Sequence, residues 1–271
     1  MVLQELYSSI DLQPEIVRKL EEIQGNFRLD PVSQYLEQLT CPDTAAQAYR
    51  SLDADLSDDP DHLKMLYCQL ECARRAFSRY EEMKIGKWVF TETMKCFTRF
   101  IDECGQRNGR LFFDRGWWTY RQISMSEFRL GALEYEFTKH EGKRTISIHI
   151  PSDADFSEGS VSHSLALAET FFQEHYPDYP QDTWICDSWL LSSSLRPFLS
   201  ENSNILSFQK RFSILQEEQE GDWLEWLFRA PKNTPIEQLP ERTALQRSVK
   251  QYLLDGGKTG TALGILNGKR N

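Results

Sequence analysis

The sequence predicts an α+β protein, an all-α N-terminal half over residues 1–115 followed by a mixed α/β half over residues 116–271. Three observations carry this. Apolar residues recur at helical spacing through the first hundred positions, with no strand-like alternation. The pattern changes after Gly109, where aromatic and alternating runs begin. Finally, Thr145–Leu191 reads as strand, loop, helix and strand, a unit whose two strands lie parallel under their connecting helix. A chain of 271 residues accommodates two domains of ordinary size.

In the first half, Pro14 opens a helix with Ile16, Val17, Leu20 and Ile23 on one side, closed by Gly25-Asn26. Pro31–Leu39 forms a second, and Asp43 caps a third over Ala45–Leu52. The acidic run Asp53–Asp61 lacks the glycine and terminal glutamate of a calcium loop and reads as a solvated linker. His62–Met83 is a long amphipathic helix broken by Gly86, and Val89–Cys104 continues as another. Met and aromatic stripes at this spacing are core.

In the second half, Arg115–Ile123 and Phe128–Thr138 are aromatic and β-rich. The turn Lys139–Arg144 joins Phe128–Thr138 to Thr145–Ile150 as an antiparallel hairpin. Ile146, Ile148 and Ile150 alternate with Ser147 and His149, and Pro151 ends the run. Ser157 caps a helix whose buried face is Val161, Leu165, Ala168 and Phe172. Pro177 and Pro180 stop it, and Trp184–Leu191 is the next strand. Leu195–Phe212 is helical with a break near Glu201–Asn204; Phe212–Leu215 and Trp223–Arg229 are short strands around a turn at Glu217–Asp222. Thr243–Leu254 is a helix ended by Gly256-Gly257, beyond which the chain reads as a flexible tail.

A net charge of −10 argues against a nucleic-acid partner, and no apolar run approaches the roughly 20 residues that span a bilayer. With no basic-then-apolar leader at the N-terminus, the expected setting is the cytoplasm. Six cysteines then read as thiols; Cys68 and Cys72, near His62, lack the spacing of a zinc knuckle and read as buried helix residues, so no metal is expected. GGKT at Gly256–Thr259 lacks the first glycine of a phosphate loop, and it follows a helix, so it reads as a helix end. A nucleophilic site of Cys186, His149 and Asp187 is disfavoured by alternation, which sends Cys186 and Asp187 to opposite faces. Ligands of strand–helix–strand units sit where strand gives way to helix, which singles out Pro151–Ser160.

The phrases ISIHIPSDADFS, AETFF and CDSWLLSSSLRPFLSENSNILSFQKRF, with GWWTYRQISMSEFRLGALEYEF upstream, resemble a bacterial two-domain acyltransferase-like family. Its members join a helical N-acyltransferase N-terminal domain to a GNAT-like domain similar to acyl-CoA-dependent N-acyltransferases. The resemblance spans nearly the whole chain. It implies acyl-CoA as substrate and an amine or hydroxyl of a small-molecule acceptor as the group acylated. It implies a pantetheine arm between splayed strands Thr145–Ile150 and Trp184–Leu191, beside Ile148 and Ile150, with the pyrophosphate on backbone N–H groups near Gly159 and Ser160. Glu134 or His149 would then be the base. No tyrosine stands in Ser192–Phe212 to protonate the leaving thiolate, so Ser203 or a water takes that place. The sequence departs from the Gln/Arg-x-x-Gly-x-Gly/Ala stretch of such enzymes, carrying only Gly159 among the acids Asp153, Asp155 and Glu158. That departure keeps a second function in view, a non-catalytic module of the same fold that binds a small molecule or a protein partner.

Overall fold

The structure is a computed structural model that describes residues 1–56, 58–219, 223–231 and 233–268. It divides into two compact units, Met1–Arg129 and Leu130–Asn271.

The first unit holds helices α1 (Leu3–Ser9), α2 (Pro14–Asn26), α3 (Ser33–Leu39), α4 (Ala45–Asp55), α5 (Leu63–Glu82), α6 (Lys87–Met94), α7 (Cys96–Asn108) and α8 (Gly116–Ile123). α5 is its axis, burying Leu66, Cys68, Leu70, Cys72 and Ala73 completely against the helices around it. The acidic run before α5 has a structural use: the carboxylate of Asp59 accepts the N–H groups of Lys64 and Met65, at 3.0 and 2.9 Å, and so caps that helix. Burial pushes the Cys68 thiol up to about 12 and raises Cys72 as well, and Cys72 donates to the Leu36 carbonyl at 3.4 Å. Both are packed thiols.

Arg115–Ile123 is a correction. Its aromatic and β-branched residues favour a strand, yet it forms α8. The reason is tertiary: Gly116 lies close against Met65 and Tyr49, its carbonyl accepts from Gln69 at 2.8 Å, and Thr119 donates to Gln69 at 2.5 Å.

The second unit carries five strands of a six-stranded sheet, whose first strand straddles the Arg129–Leu130 division. Strands β1 (Glu127–Leu130), β2 (Leu133–His140), β3 (Lys143–His149), β4 (Trp184–Ser188), β5 (Phe212–Glu218) and β6 (Thr261–Leu266) take the order β1-β2-β3-β4-β6-β5. β2 and β3 make the expected hairpin, except that a turn at Gly131 divides the expected Phe128–Thr138 strand into β1 and β2; the hairpin is joined at Glu141-Gly142, both with positive φ, 49° and 77°, as a tight turn between right-twisted strands requires. α9 (Glu158–His175) carries the chain from β3 to a parallel β4. Tyr135, Trp184 and Phe172 are fully buried between sheet and helix, with Tyr135 and Trp184 rings 5.5 Å apart. The buried face of α9 includes Ser164, whose hydroxyl donates to the Leu130 carbonyl at 2.5 Å and accepts from the Leu133 N–H at 3.1 Å.

Further elements differ from expectation. β4 ends at Ser188, because the Ser188 hydroxyl accepts the Leu190 N–H and starts a 3-10 turn over Trp189–Leu191. Trp223–Phe228 is helix α11, not a strand, and its Phe228 is buried with Ala230, Leu239 and Val249 in a small core separate from the sheet. The expected turn at Glu217–Asp222 lies partly outside the described residues: β5 runs to Glu218, and residues 220–222 are not described. α10 (Asn204–Gln209) and α12 (Ala244–Leu254) follow expectation, and α12 ends at Asp255-Gly256. The supposed tail contains β6, which pairs with both β4 and β5. Its Thr-Ala-Leu-Gly-Ile-Leu run is the alternating pattern that the glycines around it obscured.

Candidate active site

The site follows from one break in strand pairing. β3 and β4 are in register at Ile146↔Trp184 and Ser147↔Ile185, where their pairing ends. Beyond that point β3 stays with β2, through Ile148↔Tyr135 and His149↔Glu134. β4 stays with β6, through Cys186↔Gly264, Asp187↔Leu263 and Ser188↔Ala262. Two neighbouring parallel strands therefore part at their C-terminal ends, at the crossover where such sheets bind ligands.

Pairing and alternation assign the side chains to faces. Ile146, Ile148, Trp184 and Cys186 look toward α9 and are fully buried. Glu134, Glu136, Ser147, His149 and Asp187 occupy the other face. There His149 Nε2 lies 2.8 Å from Glu136 Oε2, both side chains about one-fifth exposed. With Glu136 ionised, its carboxylate accepts and Nε2 donates. Glu134, directly opposite His149, is 3% exposed. Partial burial raises the Asp187 carboxyl above the ordinary range, Glu218 raises it further, and His149 opposes both.

The Cys186 nucleophile is excluded on this geometry. Its thiol faces α9, completely buried, and burial pushes its pKa far up. The alternation that separates it from Asp187 holds in the structure.

The loop between β3 and α9 caps itself. Ser157 is the N-cap, its hydroxyl accepting the Ser160 N–H at 3.4 Å. Asp155 accepts from the Ser157 N–H at 2.9 Å, the Ser157 hydroxyl at 3.1 Å and the Ser160 hydroxyl at 2.5 Å. The Ser160 hydroxyl, then the Ser157 N–H and hydroxyl, hold the Asp155 carboxyl below its ordinary range. The Ser160 amide is therefore already engaged, whereas Gly159 is exposed with open space where a side chain would be. Ile150, just past β3, is half-buried. Ser203 is the N-cap of α10, accepting the Ile205 N–H at 3.2 Å.

Sequence reasoning named His149 but missed its partner Glu136. The signal was available: the two-residue turn at Glu141-Gly142 fixes a register that puts Glu134, Glu136 and His149 on one face.

Residues 127–266 match the model of a GNAT-like C-terminal domain, and residues 1–125 match that of an N-acyltransferase N-terminal domain. No curated protein matches the chain. Among solved structures, an acyltransferase mutant in complex with octanoyl-CoA superposes with a TM-score of 0.82 at 19% identity, over 97% of this chain and 86% of the other. An acyltransferase in complex with decanoyl-CoA gives 0.72 at 22% identity, over 98% and 99%. An acyltransferase in complex with decanoyl-CoA and teicoplanin gives 0.73 at 18%, over 98% and 99%. At these identities the likeness is one of fold.

Proposed function

Because this chain belongs to the family that carries the GNAT-like C-terminal domain, joined here to an N-acyltransferase N-terminal domain, we propose that it is an acyl-CoA-dependent acyltransferase, moving an acyl group to an amine or hydroxyl of a small-molecule acceptor. The observation that carries the reading is the loss of pairing after Ser147↔Ile185, where a thioester arm would enter between β3 and β4 beside Ile148 and Ile150.

In this reading the acceptor nitrogen or oxygen attacks the thioester carbonyl carbon, the C–S bond breaks, and sulfur leaves as a thiolate. The acceptor's proton passes to the imidazole of His149, whose ring is oriented by Glu136. Glu134, on the same face, favours the resulting imidazolium. Strand N–H groups at the parting polarise the carbonyl oxygen. The Ser203 hydroxyl accepts the Ile205 N–H through its oxygen, so its own proton is available to the thiolate, directly or through water. The first turn of α9, at Gly159 and Ser160, faces the pyrophosphate. The solved acyltransferases that resemble this chain were crystallised with octanoyl- and decanoyl-CoA, which supports testing long acyl chains beside short ones. A cytoplasmic setting accords with six free cysteines.

A thermal-shift titration with acetyl-, octanoyl- and decanoyl-CoA tests this. A ligand at 100 times its Kd stabilises the native state by about 2.7 kcal/mol, so the midpoint must rise. No rise with any of them, together with no release of free CoA thiol in the presence of amines, would sink the acyltransferase reading. It would leave the non-catalytic module, which the self-capping of Asp155 favours.

A further inference from the structure

The loop before α9 presents Asp153, Asp155 and Glu158 where an acyl-CoA would bring phosphates, so the proposed site needs a cation. Asp155 is committed to the hydroxyls and N–H of Ser157 and Ser160. The cation comes from a distant part of the chain. Arg211, the residue before β5, reaches over the first turn of α9, where its Nη2 donates to the Ser162 hydroxyl at 2.8 Å and to the Glu158 carbonyl at 3.5 Å. Among the described residues no carboxylate pairs with Arg211, and its Nε and Nη1 have no hydrogen-bond acceptor. Its backbone is fixed as well, the Arg211 carbonyl accepting the Asn267 N–H at 2.7 Å. The neighbouring Lys210 is exposed. A guanidinium anchored by one nitrogen, with the rest of its planar fork unused, is suited to bidentate contact with phosphate oxygens.

We propose that Arg211 is a phosphate-binding residue of this site, gripping the pyrophosphate or the 3′-phosphate of an acyl-CoA laid from the parted strands onto the first turn of α9. The inference rests on the acyl-CoA reading and adds the residue that makes an acidic loop workable. Arg211 belongs to a different element from the loop, so the grip also ties α9 to the β5–β6 edge when ligand is bound.

The test is calorimetric titration of wild type, Arg211→Gln and Arg211→Lys with octanoyl-CoA, its 3′-dephospho form and S-octanoyl-pantetheine. Arg211→Gln is expected to weaken octanoyl-CoA about tenfold or more, as loss of a charge-assisted bidentate contact should, and to leave S-octanoyl-pantetheine unchanged. Arg211→Lys should fall between, because it keeps the charge and loses the fork. If the dephospho form is weakened equally, Arg211 holds the pyrophosphate; if only the full coenzyme is weakened, it holds the 3′-phosphate. Unchanged octanoyl-CoA binding in Arg211→Gln, or an equal loss for the phosphate-free ligand, overturns the proposal while the acyltransferase reading stands. Wild type that binds none of the three overturns both. The ligand-free unfolding midpoint of Arg211→Gln, expected to match wild type, serves as the folding control.

Discussion

The carboxylate of Asp155 accepts the hydroxyl hydrogen of Ser160 across the first turn of α9. That contact holds the loop's own acid against the helix start, the place an incoming anion would take. Replacing Ser160 by glutamate should abolish any acyl-CoA-induced thermal shift, since it adds a second carboxylate beside Asp155. An unchanged shift would move the phosphates away from this turn. The cap also has a pH signature. The Asp155 pKa is depressed in the folded protein, so its contribution is complete above the ordinary aspartate pKa and is lost as pH falls through the folded value. Loosening of this turn, read by amide exchange of Ser157 and Ser160, should appear only in strongly acidic solution.

His149 and Glu136 make the second prediction. Replacing His149 by glutamine should lower kcat by about 10²- to 10⁴-fold, the usual range for a general base, with little change in the Kd for acyl-CoA. Glu136→Gln should lower kcat less, because the ring keeps a hydrogen-bond partner at Nε2 but loses a carboxylate. A His149→Gln enzyme at wild-type rate would assign the base elsewhere on this face.

Asp187 should trade stability for its place in the site. Its pKa is raised in the folded protein by burial and by Glu218. Between the ordinary and the raised value the folded chain binds more protons than the unfolded one, so stability falls as pH rises through that window and the penalty persists at pH 7. Asp187→Asn should therefore raise Tm slightly at pH 7 and should make no difference well below pH 4. A Tm that drops at neutral pH would show that Asp187 is stabilising.

Ser164 is a structural prediction. Its hydroxyl serves the Leu130 carbonyl, the Leu133 N–H and the Tyr135 hydroxyl, the last at 2.9 Å, all inside the protein. Ser164→Ala should cost about 1–3 kcal/mol by leaving those groups buried and unpaired, measured by denaturant unfolding. Gly131, between β1 and β2, has φ of 72°, and a Cβ there would fall 3.2 Å from the Ser164 Cα, so Gly131→Ala should be at least as costly.

Much of this arrangement was legible in the residues. The isoleucine alternation before Pro151, the Ser157 cap and the helical spacing behind it gave β3, α9 and the parallel β4 directly. What misled was composition without partners. Trp117, Trp118, Thr119 and Tyr120 favour a strand, and contacts distant in sequence, Gln69 with Met65 and Tyr49, explain why they form a helix. Ser164 looks like a polar interruption until the Leu130 carbonyl is seen beneath it. The parting of β3 from β4 is a matter of register between strands nearly forty residues apart, which no local pattern encodes. Arg211 was invisible for the same reason, since its partners on α9 lie about fifty positions upstream.

The helices between β5 and β6 bury Phe228, Leu239 and Val249 with one another and lean on Trp189 and Phe198, while Lys250 staples the Glu237 and Leu239 carbonyls at 2.8 and 2.9 Å. Such a segment is a graft with its own cohesion. It can lengthen, shrink or melt without rewriting strand order, and it springs from the end of the sheet where β4 leaves β3. Descendants of this scaffold thus have a place to change what they admit to the cleft while the chemistry beneath stays untouched.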